Sequence, residues 1–305
     1  MSRPLRVGTR GSELALWQAR RVAALLAERG YPETELVVVH TAGDRDKSRA
    51  LHELPGSGFF TRELQRALLD DEVDLVVHSL KDLPIDEPEG LALAAVCERE
   101  DVRDLLLSLP GAHGDGPLGL RPGARLGTSS LRRAAQVLAI RPDITIGALR
   151  GNVPSRLRRL RDGEYDAIML AAAGVGRLEP DLSDLVSTAL PLETVLPAPG
   201  QGALAVEIRA NDIRALGATA PLNDAGTAEA TGCERALLGL LGGGCHLPLG
   251  AHATRDDGVW HLAAALGELD EAVTTASVTR VLVSGPDAGA CARAALRALR
   301  PTDRT

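Results

Sequence analysis

Cys245 stands in Gly-Gly-Gly-Cys-His-Leu-Pro-Leu-Gly, residues 242–250, with three glycines ahead of the thiol and Pro248 and Gly250 behind it. No regular helix or strand runs through such a stretch, so the sulfur belongs to a loop whose near flank carries no side chains. A bulky partner can approach that thiol and bond to it. A helix ending in a glycine cluster, with a small buried cysteine behind it, explains the same spacing. On spacing alone both readings stand.

The second concentration of chemistry is cationic. Residues 121–161 hold arginines at 121, 125, 132, 133, 141, 150, 156, 158, 159 and 161 against one acid, Asp143, inside a chain whose formal charge is −7. Arg158, Arg159 and Arg161 read as a solvated helix face. Arg132, Arg133, Arg150 and Arg156 differ, because each falls at a strand-to-helix turn or in a first helical turn, near Thr128, Ser129 and Ser130. Free N–H groups at helix starts bind anions, and guanidinium forks take carboxylate or phosphate with two parallel hydrogen bonds. The chain has neither a Walker pattern nor a GxGxxG fingerprint, so a small polycarboxylate fits as well as a phosphate.

Lysine occurs only at 47 and 81 among 34 basic residues. In so arginine-rich a chain, Lys81 beside Asp82 in a strand-end loop points to a specific contact. Asp82 is either a structural ion-pair partner or a carboxylate that moves protons and stabilises a developing cation.

Alternating strands and helices must position these residues. Strands are expected at 5–8, 36–40, 73–77 and 91–96, with helices from 13 to 29, capped by Ser12, and from 60 to 70. A polar loop is expected at 41–58. After a charged boundary at 98–104 and a Gly/Pro-rich excursion at 110–123, strands at 125–127, 144–149 and 166–171 each lead into a helix. The stretch 191–202 reads as a stiff connection, and a strand at 203–208 returns to the first unit. From about 220 the pattern changes to a long helix, the Cys245 loop, strands over 250–283 and a final helix from 287. Such βαβ units build mainly parallel sheets, with ligands beyond the carboxyl ends of the strands.

Composition narrows the function. Aromatics make up 2% of the chain, too few to stack bases, and the negative balance gives no general attraction to nucleic acid or anionic membrane. No apolar stretch approaches a membrane span. The chain is expected to be cytoplasmic. Cysteines at 97, 233, 245 and 291 have no CxxC spacing, so neither a disulfide framework nor a metal site is expected, and all but Cys245 read as core.

The sequence resembles the porphobilinogen deaminase (hydroxymethylbilane synthase) family. The likeness rests on Thr9-Arg10-Gly11-Ser12 with the following Leu14–Ala19, HSLKDLP at 78–84, GTSSLRR at 127–133, LRGNVPSRL at 149–157, PAPGQGAL at 197–204 and GGGCHLPLG at 242–250. It implies two periplasmic-binding-protein-like α/β lobes, residues 1–98 with 201–218 and residues 99–200, plus a C-terminal α+β domain, 219–305. It also implies a dipyrromethane cofactor joined by a thioether to Cys245. Four porphobilinogen molecules lose ammonia and add to this primer, and water releases hydroxymethylbilane. By the family's pattern Lys81, Asp82, Thr128, Ser129, Ser130, Arg132, Arg133 and Gly151 hold the cofactor, and Arg10, Ser12, Arg150, Arg156 and Arg177 hold substrate carboxylates. Asp82 is then the catalytic carboxylate, facing the pyrrole nitrogens and the cationic azafulvene left by loss of ammonia. The resemblance also implies a monomer.

Two departures stand out. Many family members carry lysines where this chain has Glu53 and Ser57, so no substrate contact is carried onto that loop, and Glu13 replaces a common proline. Two other classes explain part of the pattern. A non-catalytic receptor for small anions suits two anion-binding lobes but gives no reason for the Cys245 loop. A simple cysteine nucleophile with neighbouring His246 lacks an identifiable third partner.

Overall fold

The structure, a computed structural model, describes residues 3–31, 33–39, 61–244 and 247–300. The 41–58 loop with Glu53 and Ser57, and Cys245 with His246, lie outside the described residues. The chain divides into two compact units, one running through Glu100 and resuming for Gly202–Glu229, the other holding Asp101–Gln201 and the residues from Ala230 onward.

The first unit is a five-stranded sheet in the order β2 (Thr34–Val38), β1 (Leu5–Thr9), β3 (Leu75–Ser79), β10 (Leu204–Arg209), β4 (Leu91–Val96). β1 pairs in parallel with β2 and β3, while β10 runs antiparallel to β3 and β4. The return of the chain after residue 203 is therefore an insertion into the middle of this sheet. Period-2 alternation sorts the side chains: Leu75 and Val77 share a core with Ala19, Val22 and Leu26 of α1 (Glu13–Glu28), whereas Val76 packs with Leu64 and Leu68 of α2 (Arg62–Leu69). β3 begins two residues later than its apolar run suggests. Val73 is buried but still bonds back to Ala67, and pairing starts only after buried Asp74, whose carboxylate accepts from Arg6 N at 2.8 Å and Arg3 Nη2 at 2.8 Å.

The second unit repeats that strand order: β7 (Thr145–Gly147), β6 (Arg125–Gly127), β8 (Ala167–Ala171), β5 (Asp104–Ser108), β9 (Val186–Ala189). Here β5 is the strand that opposes its neighbours β8 and β9. Neither β5 nor β9 is expected from the sequence, because β5 starts at the end of the charged stretch read as a boundary and β9 holds Ser187 and Thr188 among its four residues. Helices α3 (Leu131–Ile140), α4 (Val153–Arg161) and α5 (Ala172–Leu178) follow β6, β7 and β8. The 110–123 excursion contains two short 3₁₀ turns, Pro110–Ala112 and Pro117–Gly119, and anchors itself through buried Ala112 and Leu120. Arg159 and Arg161, expected on a solvated face, pair there with Glu164 and Asp184.

Helix α6 (Ile213–Thr219) belongs to the first unit, and α7 (Ala225–Leu240), whose first residues still belong to it, leads to an antiparallel sheet, β11 (Leu249–Asp256), β12 (Val259–Leu269), β13 (Ala276–Gly285), followed by α8 (Ala288–Leu299). Leu237, Leu249, Trp260, Leu262 and Ala295 form its core, with Cys233 and Cys291 buried among them. Burial pushes the Cys233 thiol up to about 12. Cys97 is also buried. Gly267 of β12 lies so close to α3 that a Cβ there would overlap that of Ala135.

Candidate functional site

In each unit the expected site residues among those described, apart from Arg177 in the last turn of its helix, lie at the carboxyl ends of parallel strands and in the first turns of the helices that follow. In the first unit Arg10 follows β1, and Ser12 caps α1, its Oγ accepting from Ala15 N at 3.3 Å. Adjacent β3 ends in the 3₁₀ turn Leu80–Asp82, which leaves Lys81 half-buried and Asp82 exposed. Gln18 ties the two ends together, donating from Nε2 to Ser79 Oγ at 2.8 Å. Arg10, Ser12, Lys81 and Asp82 thus share one rim of one sheet.

The second unit assembles its own group. Thr128 N donates to Gly147 O at 2.9 Å, and Ser129 Oγ donates to Leu149 O at 2.8 Å, which locks the turn after β6 onto the turn after β7. Ser130 caps α3, accepting from Arg133 N, and its own N–H donates to Thr128 Oγ1 at 3.2 Å. Asn152 caps α4 through Ser155 N at 3.0 Å. Gly151, with φ +109°, supplies the sharp bend between Arg150 and that cap. Arg156 donates from Nε to Gly151 O at 2.7 Å. Arg177 is buried in α5, the helix that follows β8.

Arg132 and Arg133 have an additional partner that the sequence reading does not contain. Both reach inward to Asp104, Arg132 Nη1 to Oδ2 and Arg133 Nη2 to Oδ1, each at 2.7 Å. Burial alone would raise the Asp104 pKa, but the two guanidiniums overcome it and hold the carboxyl far below the usual range. Asp104 is the last acid of the charged stretch 98–104 and directly precedes the apolar run Leu105–Leu107; that junction, with surplus arginine downstream, is the available sequence signal, since a charge carried into an apolar strand requires a partner.

These residues fit a polyanion. Arg150 Nη1, Arg132 Nε and Arg133 Nε are buried with no hydrogen-bond partner among the described residues. A buried cationic donor left unpaired is costly, and a ligand carboxylate satisfies it. No helix among the described residues is long and apolar enough to cross a membrane.

The chain matches the family described as porphobilinogen deaminase, dipyromethane cofactor binding domain, over residues 5–216, and porphobilinogen deaminase, C-terminal domain, over residues 228–297. The curated porphobilinogen deaminase of Chloroherpeton thalassium is 43% identical over 273 residues, 88% of this chain and 85% of its own. That of Syntrophomonas wolfei is 45% identical over 271 residues, 88% of this chain and 86% of its own. Among solved structures, the Bordetella pertussis BvgS periplasmic VFT2 domain aligns with TM-score 0.43 and 12% identity over 71% of this chain and 85% of that domain. The two lobes are defined by their own matching strand orders.

Proposed function

The chain belongs to the porphobilinogen deaminase family, and on that premise we propose how its residues divide the reaction. The protein is a transferase that deaminates porphobilinogen, joins four molecules head to tail on a dipyrromethane cofactor and releases hydroxymethylbilane. The cofactor, when bound, supplies the free pyrrole end to which substrate is added. The remaining work falls to the chain's own groups.

Cys245 carries the thioether, and the three glycines that precede it in sequence, 242–244, have no side chains to block its approach. Lys81, Thr128, Ser129, Ser130, Arg132, Arg133 and Gly151 hold the cofactor's acetates and propionates. Arg10, Ser12, Arg150, Arg156 and Arg177 take the carboxylates of incoming substrate. The observation that carries this division is Arg150 Nη1, three residues past β7, buried and without a hydrogen-bond partner among the described residues. Asp82, exposed at its turn, is acceptor and donor for the protons that leave and arrive at pyrrole nitrogen, and its charge stabilises the cation left when substrate loses ammonia.

We also propose that residues 1–98 with 201–218, 99–200 and 219–305 act as three domains, for which the third sheet's own core is the support. A biosynthetic activity supports a cytoplasmic location. One chain that carries every assigned residue supports a monomer, testable by light scattering. The residue-level reading is tested by intact mass under denaturing conditions. The wild type is expected to exceed its sequence mass by two linked pyrrole units and Cys245→Ser to show the bare mass. A bare wild-type mass after incubation with porphobilinogen overturns it.

A further inference from the structure

Asp104, the first residue of β5, has no exposed surface. Three donors converge on it: Arg132 Nη1 and Arg133 Nη2, each at 2.7 Å, and Gln201 Nε2 at 2.9 Å. Gln201 is itself fixed, donating to Val102 O at 2.8 Å. The arginines are tied a second time, Arg132 Nη1 to Leu196 O at 2.7 Å and Arg133 Nη1 to Met169 O at 2.9 Å. Successive residues on a helix leave it about 100° apart, and like charges repel. Neighbouring arginines therefore do not converge unless something between them draws both. One carboxylate against two guanidiniums leaves the cluster one net positive charge, and both Nε donors remain without a partner among the described residues.

The geometry points to Asp104, steadied by Gln201, as the positioning residue for cofactor capture: it converges Arg132 and Arg133 and leaves them net cationic towards an anionic ligand. This rests on the assignment of those arginines to the cofactor's carboxylates. The test follows primer loading, independent of turnover. Full-length Asp104→Asn and wild type, produced in cells that make no porphobilinogen, are incubated with porphobilinogen well below their melting midpoints, and the gain of two pyrrole units is timed by intact mass. Asp104→Asn, folded by circular dichroism, is expected to load at least tenfold more slowly, and Asp104→Glu to recover part of the rate.

A lowered melting midpoint with wild-type loading marks a merely structural role and overturns the inference. If Asp104→Asn does not fold, Gln201→Met decides: it keeps the carboxylate, removes one donor, and is expected to load several-fold more slowly, while a wild-type rate overturns the inference. A wild type that never gains the mass overturns the residue-level reading of the proposed function first, which separates the two failures.

Discussion

Gly151→Ala perturbs the bend that presents Arg150 and Arg156. At φ +109° a residue with a Cβ is strained, and the added atom would overlap Ser155 Oγ and lie 3.3 Å from Ser155 Cβ. Strain of this kind costs about 1–3 kcal/mol. Ser155 Oγ donates to Asn152 O at 2.9 Å, and its displacement forfeits that bond, about 1 kcal/mol more. The sum, about 2–4 kcal/mol, corresponds to a midpoint fall of roughly 4–16 °C for a domain of this size. Thermal denaturation of Gly151→Ala, Ser155→Ala and the double variant separates the parts. In the Ser155→Ala background the glycine substitution should cost only the strain. Because Gly151 O accepts from Arg156 Nε at 2.7 Å, KM for porphobilinogen should rise more than kcat falls. A midpoint unchanged within about 1 °C would refute the positive φ, and a cost that vanishes with Ser155→Ala would refute the strain.

Asp82→Asn should keep the cofactor mass yet lose about 10²–10³-fold in turnover, from lost proton transfer and cation stabilisation; near-normal turnover removes Asp82 from the chemistry. Asp74 is desolvated, which raises its pKa, but hydrogen bonds and charge from Arg6, with Arg3, bring it below the ordinary value. A depressed folded pKa means stability that is present above the unfolded value of about 4 and lost as pH falls through the folded one. Asp74→Asn should therefore be less stable than wild type by about 2 kcal/mol at neutral pH, and urea midpoints of the two should converge below about pH 4; a constant gap contradicts the ion pair. Cys233 and Cys291, buried with raised pKa values, should resist iodoacetamide at pH 8 until the protein unfolds. Native-state alkylation of either, located by peptide mass, would contradict that burial.

Much of the site was legible because its determinants are local. Glycines, Ser12, Ser130 and apolar runs mark where strands end and helices start, and Arg10, Lys81, Asp82, Thr128–Arg133 and Arg150–Arg156 fall at those ends in the structure as in the sequence pattern. The alternation of elements likewise specified α/β units, because a period of 2 or 3.6 is written in consecutive residues. Pairing across the chain was not written there. β5 continues the charged stretch that reads as a boundary and its run Leu105–Leu107 does not alternate, β9 is half hydroxyl residues, and β5 becomes a strand only between β8 and β9. Val73 satisfies the apolar pattern of a strand yet packs at a turn, so β3 starts late.

The arginine pair shows the division most clearly. Sequence alone placed Arg132 and Arg133 at a helix start with charge to spare. Only the tertiary structure brought Asp104, 28 residues earlier, underneath them, because an antiparallel strand inserted into a parallel sheet delivers its carboxylate to a depth where a charge cannot stand alone.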